Sequence, residues 1–131
     1  MPFGSYQVSA EQAVSSAIQI MKETGADAVK LEGGERLFPA IRLIIEAGIP
    51  VGLTPQSVHQ LGGYGLQGKE GAAADKLLEE ARGLERLGCC AVVLEKVPAQ
   101  VAKRVAQTLH IPVIGIGAGV DVDGQVLVLQ D

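Results

Sequence analysis

Tryptophan is absent from the sequence and aromatics are scarce, with two tyrosines and two phenylalanines in 131 positions. The core must therefore be assembled from Val, Ile, Leu and Ala, and hydrophobic residues do reach 47%. That aliphatic bias suits parallel strands buried beneath a layer of helices. No apolar run approaches the ~18 residues that a membrane span requires. The opening Met1-Pro2-Phe3-Gly4 has neither a basic leader nor an apolar signal core, so no export segment is expected. Lys and Arg are scattered, no basic cluster forms, and the net charge is −4, which argues against a nucleic-acid partner. The only two cysteines, Cys89 and Cys90, are adjacent. Neighbours in an extended strand point to opposite faces, so a bridge between them would be strained. Two buried free thiols in a reducing cytoplasm are expected instead. A single domain over residues 1–131 fits this length, with one modest core.

What is present is an alternation of helical and extended signals. Ser9 followed three residues later by Gln12 is a capping box, and Ala13, Ala17, Ile20 and Met21 share a helical face up to Thr24-Gly25. Ala26 to Leu31 reads as a short strand. A second helix is expected from about Arg36 to Ala47, and a strand begins at Ile49 to Val51. Thr54-Pro55 resembles a helix N-cap with its N1 proline. Gly62 to Gly71 reads as a glycine-rich loop before an amphipathic helix over Ala72 to Leu87. Cys90 to Leu94 is a strand, Pro98 to about Leu109 a helix, Ile111 to Ile116 a strand, and Gln125 to Leu129 a further strand. The order predicts βα units and a parallel sheet, either doubly wound or part of a (β/α)₈ barrel. A whole barrel needs about 250 residues, so the chain could supply roughly half of one.

In such folds the site lies at the carboxyl ends of the strands. Lys30 and Glu32, two apart on an extended segment, face the same way there; their plainer explanation is a solvated strand end. Glu95 follows Ala91-Val92-Val93-Leu94, a run that should bury its approach, raise its pKa and suit it to act as a base. A salt bridge to Lys30 or Lys96 is the competing explanation. Gly115-Ile116-Gly117-Ala118-Gly119 departs from a dinucleotide fingerprint and reads as a tight turn with close backbone approach. Asp121 and Asp123 flank a turn at Gly124, and His59 and His110 lack partner ligands. Gly62-Gly63-Tyr64-Gly65 is either a plain loop or a lid over a substrate.

Several strings then occur in order: Val29-Lys30-Leu31-Glu32-Gly33-Gly34, Gly52-Leu53-Thr54-Pro55-Gln56-Ser57, Val93-Leu94-Glu95 and Ile114 to Gly119. With Gly62-Gly63-Tyr64, Gln67-Gly68 and Asp123 to Val128, they closely resemble the ketopantoate hydroxymethyltransferase family across essentially the whole chain. The resemblance implies a partial (β/α)₈ barrel, and a homo-oligomer for the full-length family. It implies hydroxymethyl transfer from methylenetetrahydrofolate to α-ketoisovalerate with Mg²⁺, the first step of pantothenate biosynthesis. On it, Glu95 matches the base, Lys30 a contact to the 2-oxoacid, and Glu32 the carboxylate on the metal side.

Three family features are missing from this sequence. The two metal-site aspartates lie before the segment that opens here with Met1-Pro2-Phe3. Val51 runs directly into Gly52, where the family carries a Gly-His stretch. The family's late His-Asp reads Gln130-Asp131. The resemblance therefore implies a fragment lacking N- and C-terminal parts, with doubtful activity as it stands. A non-catalytic remnant and a related Mg²⁺-dependent 2-oxoacid lyase barrel are the alternatives.

Overall fold

The computed structural model describes residues 1–55 and 67–129, with residues 67–70 described by backbone alone. Helix α1 spans Ala10–Thr24. The Ser9 hydroxyl accepts the Gln12 N–H at 3.0 Å, and Gly25 closes the helix in the left-handed region at φ 67°. The capping box forms in a modified way, because the Gln12 amide oxygen takes the Val8 N–H rather than that of Ser9. Ala13 and Ala17 are fully buried, and their small side chains let α1 lie close on α2, Phe38–Glu46.

Strand β1 is Val29–Glu32, and it begins where the Val29 N–H finds the Pro50 carbonyl, later than the expected Ala26. The second helix is split. Glu35–Leu37 form one 3₁₀ turn, and α2 starts only at Phe38. Pro39 has no N–H to donate and is tolerated only in a helix's first turn, which fixes where the α-helix begins. Strand β2, Val51–Thr54, includes the threonine that sequence reading made a helix cap. Its carbonyl accepts the Gly33 N–H, and the helix that Thr54-Pro55 was expected to open falls in residues 56–66, outside the described residues. Helix α3, Gln67–Leu87, starts ahead of the expected Ala72. Gln67, Lys69 and Glu70 are good helix formers, and Gly68 and Gly71 each cost only about 1 kcal/mol. Strand β3 is Ala91–Glu95, helix α4 Ala99–Thr108, strand β4 Val113–Ile116, and strand β5 only Gly124–Gln125.

All five strands are parallel, and their spatial order is their chain order, β1-β2-β3-β4-β5. A doubly wound sheet reverses direction at a switch point. Unbroken succession is the path of a barrel, and the sheet is a segment of one. On the helix side Leu31, Val51, Leu53, Val92, Leu94 and Val113 meet Ile41, Ile44, Leu77, Leu84 and Val105, all with under 2% of their surface exposed. Burying each such side chain stabilises by roughly 1.5–3 kcal/mol. The opposite face carries Lys30, Glu32, Gly52, Thr54, Ala91, Val93, Glu95, Ile114 and Ile116.

Candidate active site

The site is built from that second face at the carboxyl ends of the strands. Register pairs Lys30 with Gly52 and Glu32 with Thr54. Glu95, the last residue of β3, pairs with Ile116. Lys30, Glu32 and Glu95 thus share one face and one end of the sheet. Lys30 and Glu32 are exposed and Glu95 is half-buried. From strand spacing and rise, the Cα atoms of Glu32 and Glu95 stand roughly 12 Å apart. Neither competing salt bridge forms: among the described residues Glu95 and Lys30 enter no ion pair. The desolvation expected of Glu95 is only partial, because Val92 and Leu94 point to the helices while Glu95 emerges on the open face.

Two cavities lie at this end. One of about 510 Å³ is lined by Tyr6, Gln7, Glu32, Gly33 and Arg36 among others. A second of about 290 Å³ is lined by Lys96, Ile116, Gly117 and Val126 to Val128. Glu32 lines the first, while Lys30 and Glu95 line neither. Among the described residues the three groups therefore share a face without sharing an enclosed pocket. Lys96, directly after Glu95, has a left-handed backbone at φ 52°. That conformation costs a non-glycine residue about 1–2 kcal/mol. It is held by the Lys96 N–H donating to the Ile116 carbonyl at 2.8 Å, so the chain turns sharply at the rim. Strain of this kind concentrates at functional sites.

Sequence reading missed three residues. Tyr6 is buried, and its hydroxyl both donates to the Glu32 carbonyl and accepts the Glu32 N–H, each at 3.2 Å. It occupies the outward edge of β1 and fixes the peptide that carries Glu32. Thr54 is buried, and its Oγ1 has no hydrogen-bond partner among the described residues. Glu80 of α3 is 7% exposed, and burial pushes its carboxyl above the ordinary range; Glu35 adds to this and Lys76 opposes it. Its Oε1 lies where a Cβ on Gly34 would stand only 3.2 Å away, so the turn after β1 is pressed against it. Gly33, at φ 150°, admits Leu37 where a side chain would collide with it. No sequence signal marks Glu80, and Thr54 carried only that of a helix cap, since each burial depends on distant elements.

The remaining candidates are structural. Gly119 packs against Ala99 at a distance that leaves no room for a Cβ, as a tight turn requires, and Gly115 lies under Val122. The Asp123 carboxylate accepts the Val113 N–H at 2.8 Å, and Asp121 faces Lys103 at 3.8 Å. The His110 side chain is exposed, while its N–H and that of Ile111 donate to Glu85. The His110 N–H, foremost, holds the Glu85 carboxyl below its ordinary range. Cys89 and Cys90 are both free, but only Cys89 is buried, which corrects the expectation of two buried thiols. The chain enters β3 there, so the two point apart, and burial lifts the Cys89 thiol to about 11. His59 and the Gly62 to Gly65 loop lie outside the described residues. Among the described residues no three carboxylates, imidazoles or thiols converge as metal ligands, and no helix is long and apolar enough to cross a membrane.

A family model described as ketopantoate hydroxymethyltransferase matches residues 1–131. The 3-methyl-2-oxobutanoate hydroxymethyltransferase of Flavobacterium johnsoniae is 57% identical over 135 aligned positions, covering all of this chain and 50% of its own. That of Porphyromonas gingivalis matches equally, at 57% over the same coverage. The chain therefore spans about half the length of these relatives. Two solved structures share the fold. A provisionally assigned phosphonomutase from Burkholderia cenocepacia gives a TM-score of 0.67 at 13% identity, covering 86% of this chain and 50% of that one. A chain of the Amycolatopsis orientalis BexX/CysO complex gives 0.59 at 17% identity, covering 94% and 55%.

Proposed function

The chain belongs to the ketopantoate hydroxymethyltransferase family, and from that premise we propose that it carries the 2-oxoacid and base side of hydroxymethyl transfer. The substrates in this reading are α-ketoisovalerate and methylenetetrahydrofolate, and the product is ketopantoate. The carrying observation is the parallel register that sets Lys30, Glu32 and Glu95 on one face at the carboxyl ends.

Glu95 takes the proton from the carbon beside the keto group, and the electron pair of that C–H bond moves toward the keto oxygen as an enolate. Lys30 lies on the same face, where its positive charge opposes the negative charge that develops. Water breaks the two C–N bonds that hold the methylene carbon, so tetrahydrofolate leaves with both N–H protons restored. The enolate carbon bonds to the resulting formaldehyde-level carbon, and its oxygen takes the proton that Glu95 removed. In the same reading Mg²⁺ would bind through Glu32 and polarise the 2-oxoacid when present. The described residues do not by themselves make a metal centre, because no three ligands converge. A single carboxylate leaves the rest of such an ion's shell to water and substrate oxygens. The 131 residues act as one unit in this reading, within a cytoplasmic homo-oligomer; the free thiols of Cys89 and Cys90 support a reducing compartment.

Deprotonation can be read separately from transfer. With α-ketoisovalerate in deuterated water, the chain should wash out the C3 proton over hours, as followed by NMR. Glu95→Gln should slow that exchange by about a hundredfold or more while leaving 2-oxoacid binding nearly unchanged. Exchange that continues unslowed in Glu95→Gln would remove Glu95 from the role of base.

A further inference from the structure

We propose that the Thr54 hydroxyl is a substrate-binding donor, holding a carboxylate oxygen of the 2-oxoacid; this rests on the 2-oxoacid reading above. Among the described residues, Thr54 Oγ1 is the buried side-chain oxygen left without a hydrogen-bond partner. Its residue is 4% exposed. A buried hydroxyl without a partner is destabilising, and native folds keep few of them. Those that persist call for an explanation in what else they bind.

The surroundings of Thr54 supply one. Its Cα partner in β1 is Glu32, so it lies on the face of Lys30 and Glu32 rather than on the helix side with Leu53. One step back on that face is Gly52, flanked by Lys30 on β1 and Ala91 on β3. A Cβ on Gly52 would find nothing nearer than the Ala91 carbonyl oxygen at 3.8 Å. Among the described residues the sheet is therefore flat and unfilled directly beside the lysine, whose Cα is one strand spacing (~4.8 Å) away. Continuing the β2–β3 register by one residue sets Val93 beside Thr54, an apolar neighbour for a branched alkyl group. A flat patch bounded by an ammonium, a hydroxyl donor and a valine matches a small planar anion with an aliphatic tail. A branched 2-oxoacid has that chemistry.

The test is binding of α-ketoisovalerate to the 131-residue chain, measured by ligand-observed NMR titration. Thr54→Val keeps the shape and removes the hydroxyl, and it should weaken binding roughly tenfold or more, the worth of a hydrogen bond to a charged group. The same variant should melt at a higher temperature than the unchanged chain, since it removes an unpaired buried donor. Thr54→Ser should bind within about threefold of the unchanged chain, and Thr54→Ala should show the valine-like loss. If Thr54→Val fails to fold, the Ser–Ala comparison isolates the hydroxyl. Equal affinity in the unchanged chain and the hydroxyl-free variants would overturn the inference while leaving the 2-oxoacid reading intact. No saturable binding by the unchanged chain would overturn both.

Discussion

Glu80 sits on the buried side of α3 among Leu77, Leu78, Ala81 and Leu84. Its carboxyl is raised by burial first, with Glu35 adding and Lys76 opposing. The folded state therefore favours protonated Glu80. The stability this group contributes is fully present below the unfolded carboxyl range and is lost as pH rises through its folded pKa. Glu85 runs the other way. Its pKa is lowered by the His110 N–H, so its contribution is present above the unfolded value and lost as pH falls. Glu80→Gln should then raise stability at pH 7 by on the order of 1 kcal/mol and flatten the decline above pH 4.5. Denaturant midpoints measured from pH 4 to 8 check this, and a variant less stable than the unchanged chain at pH 7 would show Glu80 to be favourably paired as a carboxylate. The placement of Lys30, Glu32 and Glu95 at strand ends was legible in the sequence because each is a charge breaking an aliphatic run. Glu80 was not, because a glutamate inside an amphipathic helix reads as its solvated side. The Gly33-Gly34 turn, far along the chain, presses against its carboxyl. Tyr6 and Thr54 were hidden for the same reason: their partners, or lack of them, are set by residues far along the chain.

Elements announced by local chemistry were bounded closely, while strand ends, decided by pairing, moved by up to four residues. Ser9, Gln12 and Gly25 bounded α1 correctly because capping is settled within one turn. Thr54 closes β2 because the Gly33 N–H reaches its carbonyl, a bond set by a strand more than twenty residues earlier. At the far edge, Gln125 to Leu129 alternates poorly, and only Gly124–Gln125 pair with β4. Val126 donates one further bond to Gly115, after which Leu127 and Leu129 are 90% and 95% exposed. At the opposite edge Tyr6 already occupies the Glu32 peptide. The unpaired, apolar edge is therefore that of β5, and exposed edges of this kind recruit other chains. The purified chain should associate with rising concentration, and Leu127→Lys should shift that association to about tenfold higher concentration or more. Sedimentation velocity between low and high micromolar protein reads this; a monodisperse monomer across the range would show the edge to be covered.

At the scale of the whole molecule, the chain matches half the length of its relatives while its own sheet pairs five strands in sequence. Fold and family were legible because strand-end motifs occur in barrel order. The composition of the site was only half legible, since it depends on which ligands meet in space. Among the described residues no three metal-binding groups meet. Glu32 offers one carboxylate to a divalent cation, while Lys30, on the same face of the same strand, repels one. A hard cation should therefore bind this chain weakly. Without Lewis-acid stabilisation the enolate loses several kcal/mol, which corresponds to a rate loss of roughly a thousandfold or more. On the proposed reading Glu95 still stands at its strand end, but a base contributes little when the anion it forms is poorly held. The purified 131-residue chain, given saturating α-ketoisovalerate, methylenetetrahydrofolate and excess Mg²⁺, should form ketopantoate at least a thousandfold more slowly than the Flavobacterium johnsoniae relative. The residual rate should fall further in Glu95→Gln. Turnover matching the relative and abolished in Glu95→Gln would mean that the chain assembles its metal ligands from groups outside this face. In that event Glu32 would no longer be the carboxylate on which metal binding depends.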